Sequence, residues 1–149
     1  DYYHSDSFRT RVGALLNTNK SCVVTTTIGC FEINRYLSSI SIPSIIDPYY
    51  KRVSIASMCF KKELWESHKF EDSNKCEARN LIENNLDKIT EISWENNLIS
   101  LIHSYNMENN RINSSNEIKG CKFKLSEKMF DFIITLDKNK DLTKKLQEK

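Results

Sequence analysis

Apolar residues return at helical intervals over much of the chain. After Asp47-Pro48, an N-cap acid followed by proline at the first helical position, Val53, Ala56, Phe60 and Leu64 recur three or four residues apart. Lys51, Arg52, Lys61 and Lys62 lie between them, so the spacing predicts an amphipathic helix to about Ser67. A second helix is expected from a Ser73 cap, with Ala78, Ile82, Leu86 and Ile89 on one face and Glu77, Asn84, Asn85 and Lys88 off it. A third would start at Ser93 and carry Trp94, Leu98, Leu101, Ile102 and Tyr105, ending in the turn-forming run NMENNRINSSNE. A fourth, from Ser126, presents Met129, Phe130, Ile133 and Leu136.

The first third reads differently. Ser7 can cap a short helix through Phe8, Val12, Leu15 and Leu16, but Val23 to Ile28 is an unbroken β-branched run that prefers an extended chain. Cys121, Phe123 and Leu125 alternate with lysines in the same manner, and SSISIPSII, broken by Pro43, reads as an extended connection. The expectation is a mainly α fold: a compact bundle of about four to six helices, with a small two-stranded β element from the N-terminal third and residues 121–125. No repeat, heptad run or linker divides residues 1–149, so a single helical domain is expected.

At 149 residues the chain can bury roughly two-thirds of its surface without a metal or a staple. The net charge of +2 is not that of a disordered segment. It is unevenly spread: residues 1–62 sum to +4, residues 63–117 to −6 and residues 118–149 to +4, a polarity that can steer a charged partner. No apolar run is long enough for a membrane span, so the chain is expected to be soluble.

Candidate chemistry is sparse. DKNKDLTKKLQE, residues 137–148, places Asp137, Asn139, Asp141, Thr143 and Glu148 where a calcium loop keeps its ligands. The glycine required at the sixth position is Leu142, and four lysines inside the window oppose a divalent cation, so no metal is expected. No Cys or His pair has zinc-ligand spacing. Gly13, Gly29 and Gly120 are scattered singly, which excludes glycine-rich phosphate loops, and no nucleophile or acid–base motif is present, so no cofactor and no enzymatic activity are expected. The lysine-rich segments KGCKFKLSEK and DKNKDLTKKLQEK carry interleaved acids, which makes nucleic acid a weak alternative.

Two adjacent tyrosines, Tyr49 and Tyr50, precede Lys51 and Arg52. Neighbours on a helix face different ways, so at least one ring should be exposed, as interface residues are. These four residues are the candidate partner-binding site. Cys22, Cys30, Cys59, Cys76 and Cys121 are candidate disulfide residues of undetermined pairing. With the absence of an initiator Met, they favour a secreted or surface-exposed helical domain that binds another protein, with an intracellular adaptor as the alternative.

Overall fold

In a computed structural model of the chain, the residues described are 1–33, 37–72, 76–102 and 126–136. They form an α+β fold, not the expected helical bundle: seven strands in two mixed sheets, with five helices around them. The strands are β1 (Tyr2–Tyr3), β2 (Cys22–Val24), β3 (Ile28–Glu32), β4 (Leu37–Ser41), β5 (Cys59–Phe60), β6 (Ile89–Glu91) and β7 (Leu98–Ile102). The helices are α1 (Ser7–Leu16), α2 (Tyr49–Arg52), α3 (Lys62–Ser67), α4 (Arg79–Glu83) and α5 over residues 127–136.

The β-branched run divides between the centres of the two sheets. In the first, of order β1-β7-β3-β4, β3 runs antiparallel to β4 and parallel to β7, with Gly29 opposite Ile99 and Phe31 opposite Leu101. In the second, of order β5-β2-β6, β2 runs antiparallel to β5 and parallel to β6, with Cys22 opposite Ile89. Cys22, Val23 and Val24 are buried, as a strand paired on both edges and covered on both faces should be.

The expected helices after residue 47 are broken in three places. The first gives the single turn of α2, a 3-10 turn at Ile55–Ser57, strand β5 and only then α3. The second ends at Glu83: Asn84 and Asn85 interrupt it, a 3-10 turn follows at Leu86–Lys88, and Ile89 enters β6. The third is strand β7, where Leu98, Leu101 and Ile102 have helical spacing but belong to an extended segment. Asn85, expected on the outer face, has no exposed surface and is satisfied by the Leu81 carbonyl, His68 and Lys88. The Ser73 cap, Tyr105, residues 121–125 with Cys121, and the calcium-like window 137–148 lie outside the described residues.

Two core clusters carry most of the burial. Under the second sheet, Cys22, Val24, Val53, Leu64, Leu81, Ile82 and Ile89 pack together. On the first sheet, Phe31, Ile33 and Leu101 meet Met129 and Ile133 of α5, and Tyr2 approaches Phe132 at 5.6 Å between ring centroids. Among the described residues no disulfide links Cys22, Cys30, Cys59 and Cys76, where bridges were expected. The register explains the nearest pair: Cys22 stands opposite Phe60 and Cys59 opposite Val23, so their side chains leave the sheet on opposite faces.

Candidate interaction surface

The expected partner-binding residues form α2, a single helical turn whose two tyrosines are both half-buried against the core of the second sheet. Their polar faces are already engaged. The Arg52 guanidinium lies 5.1 Å from the Tyr49 ring and that of Arg79 4.9 Å from the Tyr50 ring. Glu91 lies near the Tyr49 hydroxyl, and its carboxylate accepts a hydrogen bond from Thr26 at 2.7 Å. Burial first, and then the neighbouring Glu91 carboxylate, hold that phenol well above the ordinary tyrosine range. Lys51 is exposed. The four residues therefore lie together, with Tyr49 and Tyr50 as a partly covered wall instead of freely projecting rings.

The exposed apolar surface lies just before them. Between β4 and α2, Ile45 is 86% exposed and Ile46 91% exposed, with Ile42 at the base of the same loop. The pair occupies the two central positions of a tight turn: the Asp47 N–H donates to the Ser44 carbonyl at 3.1 Å, and the Ile46 N–H to Ser44 Oγ at 3.3 Å. β-Branched apolar residues are poor choices for such positions, which usually hold Gly, Asn, Asp or Pro. The chain's two prolines, Pro43 and Pro48, bracket this turn and restrict its backbone on both sides. The corner is thus pre-shaped, and it presents adjacent isoleucines outward just ahead of α2.

Sequence reading missed Ile45 and Ile46 by treating 38–46 as an extended connection. The available signal was the pattern P-S-I-I-D-P, turn chemistry wrapped around two large apolar residues. Other apolar side chains are exposed too, Phe8 and Leu16 on α1, Leu86 near α4 and Phe130 and Phe132 on α5 among them, and an exposed apolar side chain is by itself ordinary for a protein surface.

Among the described residues, no three His, Cys, Asp or Glu side chains gather as a metal cluster, and no helix is long and apolar enough to cross a membrane. No family model, curated protein or solved structure matches the chain.

Proposed function

We propose that the protein is a non-enzymatic binding domain that docks another protein through the Ile45–Ile46 corner, with Tyr49, Tyr50, Lys51 and Arg52 as the adjoining wall. The observation that carries this reading is the pair of isoleucines held outward by a hydrogen-bonded, proline-flanked turn. Fixing such a corner in advance lowers the ordering cost of association. The matching partner surface is an apolar pocket for the two side chains with carboxylates on the rim facing Lys51. The reading applies equally to a secreted ligand and to an intracellular adaptor. The cysteine part of the argument for secretion gains no support from Cys22, Cys30, Cys59 and Cys76, none of which is bridged among the described residues.

A photo-crosslinking residue at position 46, introduced into the full chain in its source cells, tests this. The expected result is one discrete protein adduct, suppressed by excess wild-type protein but not by Ile45→Ser/Ile46→Ser, and absent when the crosslinker replaces Phe8. No competed adduct would remove the proposal. Wild-type protein pelleting with phosphatidylserine-containing vesicles, with the double variant left in solution, would reassign the corner to a membrane surface. A concentration-dependent homodimer lost in the double variant would reassign it to self-association.

A further inference from the structure

The segment that follows α3 is fastened at three points. The Phe70 ring meets the Phe60 ring edge-on, with centroids 5.8 Å apart, and the Glu71 N–H donates to the Glu77 carbonyl at 2.8 Å. The third point is His68, whose half-buried ring reaches Asn85 just beyond α4, with Nδ1 and Asn85 Nδ2 3.0 Å apart. Only this last fastening contains a group of the kind that changes charge between about pH 5 and pH 8.

The surroundings of Asn85 fix which form of the ring the contact accepts. The Leu81 carbonyl, 2.9 Å from Nδ2, needs a donor, and the Lys88 ammonium, 2.9 Å from Oδ1, needs an acceptor, so the amide cannot be turned over. Nδ2 therefore presents its second hydrogen to Nδ1, which must offer a lone pair. The ring is held as the neutral imidazole with its proton on Nε2.

The imidazolium has a different partner. Ser67 Oγ stands 3.1 Å from the same Nδ1, while its own hydrogen is given to the Leu64 carbonyl at 2.8 Å, so the oxygen is free to accept from the ring. A proton added at Nδ1 clashes with the Asn85 amide hydrogens and bonds to Ser67 Oγ. It also brings a second positive charge to the amide that already holds Lys88. Among the described residues no carboxylate lies within ion-pair distance of the His68 ring to offset that charge. Glu66 on α3 pairs with Lys62 at 3.3 Å and Glu83 on α4 with Arg79 at 3.0 Å, while Lys69 lies over the Trp65 ring. Glu63, Glu71, Asp72 and Asp87 are exposed.

We propose that His68 is an acid-sensitive clasp. The neutral ring pins residues 68–72 to the end of α4, and a proton taken from solvent moves Nδ1 from Asn85 to Ser67 and frees the segment. Because Asn85 accepts only the neutral ring, the contact is present at higher pH and is lost as pH falls through the histidine's titration. Release uncovers Phe60, which packs on the core of the second sheet, and loosens Phe70 with it. The clasp uses none of the residues at the Ile45–Ile46 corner.

Nitrogen and amide NMR of the full chain, followed from about pH 8 down to pH 5, tests this. At the alkaline end the His68 ring is expected as the Nε2–H tautomer. At the acid end, protection of the Glu71 amide against exchange, corrected for its intrinsic rate, should fall about tenfold, and the Phe60–Phe70 ring contact should weaken. His68→Gln, which can accept from Asn85 and does not titrate, should keep its protection throughout, whereas His4→Gln should respond as the wild type does. Ser67→Ala lacks the acceptor for the imidazolium and should need more acid for the same loss. An Nδ1–H tautomer at the alkaline end, or Glu71 protection that ignores pH, would overturn the proposal. So would a pH response that survives in His68→Gln, or Ser67→Ala opening exactly as the wild type does. If His68→Gln does not fold, the tautomer and the Glu71 response of the wild-type chain still decide.

Discussion

Asn85 Nδ2 donates to the Leu81 carbonyl at 2.9 Å from a side chain with no exposed surface, one turn below the end of α4. Its Oδ1 accepts from Lys88 at 2.9 Å, so a single asparagine ties the helix end to the turn that leads into β6. Replacing it with Ala leaves the Leu81 carbonyl without this donor and opens a void. Asn85→Ala is expected to cost about 2–3 kcal/mol in urea unfolding, whereas Asn84→Ala, on the exposed side, should cost under about 1 kcal/mol.

Helix α5 should show the same asymmetry in apolar form. Ile133 has no exposed surface and packs on Phe31 and Leu101, while Phe130 is 46% exposed. Ile133→Ala is expected to lower stability by about 3 kcal/mol and Phe130→Ala by under about 1 kcal/mol, read as a shift of the denaturant midpoint at constant slope.

Alkaline sensitivity should report on Cys22. Burial, with a smaller contribution from neighbouring Cys59, pushes this thiol from its ordinary 9.0 up to about 12. Above pH 9 the unfolded chain loses this proton while the folded chain keeps it, so rising pH favours unfolding. Ionisation of the thiol has no effect on stability well below pH 9; between pH 9 and 12 it should lower stability with a limiting slope of about 1.4 kcal/mol per unit. Tyr49, raised in the same sense, adds to the loss at the upper end. Cys22→Ala should flatten the slope from pH 9 to 10, measured by urea unfolding at each pH.

The turn at the isoleucine corner makes a local prediction. Ser44→Ala removes the acceptor of the Ile46 N–H and keeps the carbonyl that accepts from Asp47. Because water replaces Oγ at this exposed site, global stability should fall by less than about 1 kcal/mol. Hydrogen exchange at the Ile46 amide should accelerate, with the Asp47 amide still protected.

Asn96 offers a backbone test. Its φ of 56° penalises a β-branched side chain, so Asn96→Val should cost about 1–2 kcal/mol, and Asn96→Gly should be close to neutral. Thermal unfolding of the two variants reads the difference.

The elements legible in the sequence were those whose one buried stripe matches a single period. Helix α1 forms over Ser7–Leu16 where expected, but Asp6 and not Ser7 is its N-cap and of its apolar stripe only Leu15 is buried; α5 buries Met129 and Ile133 of its stripe and leaves Phe130 half exposed. Of the β-branched run, Val23 and Val24 fall in β2 and Ile28 in β3, with Thr25, Thr26 and Thr27 forming the connection between them. Strand β7 was not legible because it is covered on both faces, so LISLI lacks the alternation that marks a half-buried strand. Tyr49 and Tyr50 could be found as a candidate site from adjacency alone, but their burial depends on Arg79 and Glu91, which the sequence places far away. The His68 contact was invisible for the same reason: it joins His68 to Asn85, which only the folded chain brings together.

The parallel pairings have a consequence for synthesis on the ribosome. The centre of each sheet, β2 and β3, emerges early, yet Cys22 waits for Ile89 and Gly29 for Ile99 before either central strand has its parallel neighbour. A nascent chain that stops short of Ile89 therefore carries two incomplete sheets with unpaired strand edges, the species most exposed to aggregation. Neither central strand has both of its neighbours until β6 and β7 have been made.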